Sequence, residues 1–526
     1  MLQKNTPKRL SQTGQSLIRL HTLGAAAGDV TGSLNLLELF QSDKVIRVLL
    51  DVGLNQENEG LNRPNRLPKG MKADEIDAVI ISHAHIDHSG WLPALVKQGF
   101  TGPVYTHEAT RDLLQFMLVD SGHLQEIAAD RINQRLEREA RRQDQSDDQD
   151  HVERKGDKRA SRRRPVQEPK LVEPLYTEAD AHACLPQING VKYETWCTVA
   201  DGLRFKLTEA GHILGAAVVT LELGKAGRKR SIVFSGNIGR PNRPFLNDLK
   251  PVLEADYLIC EATYGNRRHE QRDRLTQLQN VINAAYARAQ VKAGKQGYGS
   301  IIIPAFAVER TQAVVFDLSR LMEQGRIPKL AVFVDSPMAN HATDVHRKHP
   351  ELLNAACRKA MEAARDPFTT ARHLEVTSVN QSQRLDQPCN EPIIIVSSSG
   401  MAAGGRVVQH LKNRLPGRNN TVVFVGYQAV GTLGRQLTDP THKADAVKIF
   451  GELVPVNATI EYLPDYSGHA DYEEILRWLK LFQRRPKQTF LVHGEQDAVE
   501  QLKKHIEGKL GWSVVLPQNR QCFELD

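Results

Sequence analysis

The chain of 526 residues, 40% hydrophobic and 25% charged, has the composition of a folded globular protein and is too long for one ordinary core, so two to four domains, or one with a large insertion, are expected. No apolar run approaches the roughly 18 residues needed to cross a bilayer, and Met1 to Lys8 carries charge with no apolar segment behind it; a membrane span is excluded, a secretory signal is not indicated, and a cytoplasmic location is expected. A net charge of +7 is compatible with a polyanionic partner without requiring one, while six scattered cysteines with no C-x-x-C pair indicate neither a thiolate zinc site nor a disulfide framework.

From the N-terminus, residues 45–50 form a buried-strand pattern that ends in Asp51-Val52-Gly53, and residues 78–82 form a second that runs straight into His83. Helical periodicity follows at 111–119. Between 131 and 170 the composition changes: 13 Lys or Arg stand against 9 Asp or Glu, with almost no aliphatic residues after Leu136 and a basic cluster at 159–164. This predicts a solvated, disordered insertion, read either as a charged surface loop or as an arm that contacts RNA. Strand patterns at 231–235, 300–304, 330–335, 392–397 and 421–426 then alternate with helical patterns at 273–289 and 309–323. The alternation predicts α/β layers.

Ser82-His83-Ala84-His85-Ile86-Asp87-His88-Ser89-Gly90 sets three imidazoles and a carboxylate within six residues, directly after a strand. In an extended or tightly looped segment His83 and His85 project to one side and share an ion, while Asp87 and His88 turn towards a neighbouring one. Imidazole nitrogen and carboxylate oxygen without thiolate is the donor set of catalytic zinc that keeps a position open for water. A lone histidine is more often a core residue; four such side chains in this order point to metal.

This segment resembles the H-x-H-x-D-H signature of the metallo-β-lactamase superfamily, and further pieces follow in that family's order. Asp51 matches the acidic residue that orients a histidine ligand. Gly211-His212-Ile213-Leu214-Gly215 matches the later histidine ligand, and Ser235-Gly236-Asn237 falls where the family has Ser-Gly-Asp, whose carboxylate bridges two ions. An amide thus stands in the place of that carboxylate. Cys260-Glu261-Ala262-Thr263-Tyr264-Gly265, Ser467-Gly468-His469-Ala470-Asp471 and Leu491-Val492-His493-Gly494-Glu495 are similar to three elements of the β-CASP branch, nucleic-acid-cleaving enzymes with a second α/β domain inserted into the hydrolase fold. The resemblance extends over 304–312, 335–338, 397–406 and 426–435, and is to the bacterial and archaeal homologues of the polyadenylation endonuclease.

The resemblance implies an α/β fold, an αββα metallo-β-lactamase sandwich with an inserted α/β β-CASP domain, divided as 1–251, 252–454 and 455–526. It implies two zinc ions, one held by His83, His85 and His212 and the other by Asp87, His88 and His493, with Asn237 at the bridging position and the second ion weakened by it. His469 is implied as proton donor to the leaving 3′ oxygen, with Glu261 orienting it, and Asp87 belongs to the same catalytic group. In the branch the position of His493 is histidine in RNA-processing members, so RNA is the expected partner. Ser398, Ser399 and Gly400 close a strand and offer backbone N–H groups and hydroxyls to an RNA phosphate, with Arg406 adding a charge-assisted contact; the bland reading is a plain strand-to-helix turn. Tyr264, Phe306 and Tyr427 either stack bases or finish a core. The expected activity is hydrolysis of RNA phosphodiester bonds, internally or from the 5′ end, and whether the chain pairs as a homodimer is left open. A small-molecule hydrolase of the superfamily would lack the His469 and His493 elements, whereas a non-catalytic RNA-binding relative would show lost ligands, of which Asn237 is one.

Overall fold

The computed structural model describes residues 17–55, 65–153, 170–224, 229–270, 273–291, 297–429, 431–441 and 444–526. Two seven-stranded sheets form its first body. One runs in the order Gln521–Leu525, Ile18–Gly24, Leu34–Phe40, Val45–Leu50, Ala78–Ile80, Val104–His107 and Ile188–Val191. The other runs Val514–Val515, Gln488–Val492, Tyr257–Glu261, Arg230–Phe234, Ala217–Leu223, Leu203–Glu209 and Cys197–Ala200. Leu20, Leu37, Val48 and Ile80 of the first interdigitate with Phe205, Leu221, Phe234, Ile259 and Phe490 of the second in one dry core, so the sheets stack face to face. The outer faces are apolar too: the strand Leu34–Phe40 is buried at all seven positions, and helices cover it from outside. That is the αββα sandwich.

A third, all-parallel sheet of six strands is looped out of the second: His373–Glu375, Ala331–Asp335, Ile393–Ser397, Ser300–Pro304, Thr421–Val425 and Thr459–Leu463. Its Ile- and Val-rich strands at Ser300–Pro304, Ile393–Ser397 and Thr421–Val425 are buried throughout, as expected for parallel strands covered on both faces. The helices Arg274–Ala289 and Arg310–Glu323 lie against it.

Strand membership departs from the expected boundaries at both ends. Tyr257–Glu261 belongs to the second sheet rather than to the insert, and Thr459–Leu463 belongs to the insert rather than to the returning chain. Parallel partners of Tyr257–Glu261 lie at Gln488–Val492, a pairing that local pattern cannot reveal. The charged segment also departs in part. A single helix spans Glu108–Glu153, about 70 Å of it, so 131–153 is helical where disorder is expected. Arg, Glu, Gln and Ala are good helix formers, and Arg135 pairs with Glu139 and Arg141 with Glu137 across one turn, so high charge here strengthens local structure. Asn133 exchanges side-chain hydrogen bonds with the backbone of Val172, at 2.7 and 3.0 Å, tying the returning chain to this helix. The basic cluster at 159–164 and the segment Met1 to Lys8 lie outside the described residues.

Candidate metal centre

The motif residues sit just beyond, or at, the carboxyl ends of strands that run the same way. Val45–Leu50 and Ala78–Ile80 are parallel, which delivers Asp51 beside Ser82 and His83. In the second sheet Arg230–Phe234, Tyr257–Glu261 and Gln488–Val492 are parallel, and Glu261 pairs with Val492, so Asn237, Glu261 and His493 emerge as neighbours. His83, His85 and His212 form one group of converging ligand atoms, and Asp87, His88 and His493 a second.

Distances define which atoms converge. His83 Nε2 and His212 Nε2 lie 3.1 and 3.3 Å from His85 Nδ1. His493 Nε2 lies 3.0 Å from His88 Nε2 and 3.2 Å from Asp87 Oδ2. Burial holds His83 and His212 well below the usual histidine range and His85 down to about 4, so these rings are neutral at pH 7. Neutral imidazole nitrogens packed this closely can turn their lone pairs to one shared ion. Ligands about 2.05 Å from a tetrahedral ion lie about 3.3 Å apart, the spacing seen here.

Three acceptors set the tautomers. Asp51, fully buried, accepts from His88 Nδ1 at 2.6 Å, freeing His88 Nε2 for the cluster. Ser82 Oγ donates to Asp51 at 3.1 Å and therefore accepts from His83 Nδ1 at 3.0 Å. Thr263 Oγ1 donates to the His493 carbonyl and accepts from His493 Nδ1, both at 3.2 Å. Burial opposes charge on Asp87 and His88, yet their mutual attraction outweighs it, with His493 assisting Asp87 and Asp51 assisting His88; the Asp87 carboxyl lies well below its usual range and the His88 imidazolium above.

Asn237 enters the first group, its Nδ2 at 3.3 Å from His83 Nε2, and its Oδ1 is buried with no hydrogen-bond partner among the described residues. Rotation about the last side-chain bond exchanges the two atoms. An amide oxygen in this place fits a divalent ion, and the whole set of imidazole, carboxylate and amide donors without thiolate fits a hard or borderline metal.

Next to the cluster, the His469 ring lies 4.5 Å from that of His212, centroid to centroid. Its Nδ1 is 3.2 and 3.3 Å from the two oxygens of Glu261, which also accept from the backbone N–H groups of Ile238 and Thr263. Burial works against ionisation of Glu261, but His469 and then His493 outweigh it and hold the carboxyl below its usual range. Gly468 keeps this approach close, since a Cβ would stand 3.2 Å from His212 Cε1.

The turn after Ile393–Ser397 is placed differently from expectation. Helix formation waits until Arg406, and the partly exposed Arg406 guanidinium is held by Asp335 at 2.7 Å within the insert. Ser398 Oγ is buried and unpartnered, Ser399 accepts from the Ala403 N–H at 3.4 Å, and Gly400 lies against Phe306, where a Cβ would come within 2.9 Å of its backbone nitrogen. Tyr264 is buried and Tyr427 half-buried, with their rings 6.3 Å apart and the Arg267 guanidinium 5.2 and 5.0 Å from them. Sequence reasoning named neither Ser82 nor Thr263 as setting a tautomer; a hydroxyl in the residue before His83 and in the Glu-Ala-Thr-Tyr motif was the only available signal.

A sandwich of two mixed sheets with a histidine and carboxylate cluster at its strand ends, roofed by an inserted parallel sheet, defines a metallo-hydrolase. Models for the metallo-beta-lactamase superfamily, the Beta-Casp domain and the Zn-dependent metallo-hydrolase RNA specificity domain match residues 45–167, 311–437 and 453–517 respectively. The chain is 30% identical to Ribonuclease TTHA0252 of Thermus thermophilus, over 91% of its own length and 94% of that protein's. It is also 30% identical to the Transcription termination factor FttA of Pyrococcus abyssi, over 99% of its own length and 75% of that protein's. The chain belongs to the β-CASP branch of the metallo-β-lactamase superfamily, whose hydrolytic domains use a metal cofactor.

Proposed function

We propose that this chain is a ribonuclease that uses two zinc ions to hydrolyse RNA phosphodiester bonds. The observation that carries this reading is the meeting of two three-ligand groups with a buried Glu261 and His469 pair beside them. His83, His85 and His212 would hold one ion and Asp87, His88 and His493 the other, with the Asn237 amide beside His83 of the first set. Bound there, the ions lower the pKa of an attacking water towards roughly 7 and offset charge on the phosphate oxygens. His469, with Nδ1 directed at the ionised Glu261, keeps Nε2 available to deliver a proton to the departing 3′ oxygen. Glu261 fixes that ring and, through the Ile238 N–H, the segment that carries Asn237. The RNA strand lies in the cleft below the insert, where the half-buried Tyr427, backed by the buried Tyr264, offers a face to its bases. The ribonuclease named among the relatives supports RNA as the substrate.

RNAs end-labelled and bearing a 5′ hydroxyl, monophosphate or triphosphate test the reading, each with zinc and with a chelator. Zinc-dependent shortening of the label is expected, and the product pattern separates internal from 5′-terminal cleavage. Tight RNA binding with no zinc-dependent cleavage would overturn it in favour of a non-catalytic RNA-binding relative, in which Asn237 would be a lost ligand.

A further inference from the structure

Arg310 opens the helix Arg310–Glu323 at the carboxyl end of the strand Ser300–Pro304, where open parallel sheets bind their ligands. The residue is 8% exposed, yet its Nε and Nη1 have no hydrogen-bond partner among the described residues. Its one nearby carboxylate, Glu309, stands 3.9 Å off and is already held by Arg243 through an ion pair. Two guanidinium groups therefore share one carboxylate, leaving a net positive charge. The Arg310 guanidinium lies under Gly426, where a Cβ would meet its Cζ at 3.4 Å, and Gly426 precedes Tyr427 on the loop that reaches Glu495 across the cleft. Arg243 donates to the Ser467 carbonyl at 2.9 Å, two residues before His469. A buried, half-paired guanidinium is costly in a folded chain, and such a cost persists where a ligand relieves it.

We propose that Arg310 is a phosphate-binding residue of the cleft, its free N–H groups taking the oxygens of an RNA backbone phosphate beside the histidine cluster. This rests on the ribonuclease reading. A planar guanidinium suits a phosphate because two parallel N–H groups engage two oxygens. Arg310 would then anchor the strand without touching the bases, and its contribution is independent of sequence and weakened by salt.

The test uses full-length protein freed of metal by a chelator, so that phosphate is not read through zinc. Arg310→Met is expected to bind a short RNA at least about tenfold more weakly in fluorescence anisotropy, while its thermal midpoint is equal to or above that of the parent. Inorganic phosphate is expected to raise the parent's midpoint and not the variant's. Arg310→Lys, which keeps charge but loses the fork, is expected to fall between the two and serves if the methionine variant does not fold. RNA affinity unchanged in either variant, or a lowered midpoint in Arg310→Met with an unchanged phosphate response, would overturn the proposal and leave Arg310 as a structural tie. If the parent with zinc cleaves no RNA, it is the ribonuclease reading that fails.

Discussion

Asn237 brings no charge to a cluster whose one formally anionic member is Asp87, while the two proposed zinc ions would bring +4. Its carbonyl oxygen, buried and unpartnered, can meet an ion but bridges two poorly. Asn237→Asp is therefore expected to bring metal content closer to two ions per chain and to raise the cleavage rate about tenfold or more. Metal analysis and rate unchanged by that substitution would mean that the second ion does not depend on this position. His493 and His469 separate along the same lines. With His493 Nε2 among the converging atoms, His493→Ala should lose metal; with His469 turned to Glu261, His469→Ala should keep its metal and lose roughly 10²- to 10⁴-fold in rate. Equal metal loss in both would overturn the division of roles.

At the scale of elements, the helix Arg406–Arg414 is pinned to the strand Ala331–Asp335 by a buried cluster: Asp335 accepts from Arg406 at 2.7 Å and from His410 at 2.6 Å, and His410 Nδ1 faces Asp386 at 3.3 Å. Burial works against charge on His410, but Asp335 and Asp386 outweigh it and hold the imidazole above its usual range. A histidine with a raised folded pKa contributes stability that is complete below the unfolded value, about 6.5, and is lost as pH rises through the folded one. The thermal midpoint of the parent should therefore exceed that of His410→Gln by more at pH 6 than at pH 9; a difference constant across that range would rule the charged pair out. Asp335→Ala, which takes the shared carboxylate from the buried His410 and the partly exposed Arg406, should cost about 3 kcal/mol.

This cluster also shows where sequence stops being legible. The converging histidines are readable because histidines at fixed spacing are rare, and the strands at Val45–Leu50, Ser300–Pro304 and Thr421–Val425 because their apolar runs are local. Arg406 reads as a phosphate contact because nothing nearby announces Asp335, 71 residues away, as its partner. The helix through 131–153 is hidden for a different reason: the same charged residues that prevent a core also pair along a helix face.

Over the whole molecule, the second sheet is closed late. Tyr257–Glu261 finds its parallel partner at Gln488–Val492, and the first sheet is edged by Gln521–Leu525, whereas the inserted sheet is built entirely from 300–463. A chain ended after residue 480 is expected to retain slow hydrogen exchange in the strands of the insert, to lose it in Tyr257–Glu261, and to bind less metal than the full chain. Protection of Tyr257–Glu261 in that shortened chain would show that the sheet does not wait for its partner. Of the proposed metal ligands His493 is made last, more than 400 residues after Asp87 and His88, so the proposed nuclease cannot arm itself before residue 493 has been made. A ribosome translating it would then carry a chain that is harmless to the message beneath, and the cut would become available only once residue 493 has joined the cluster.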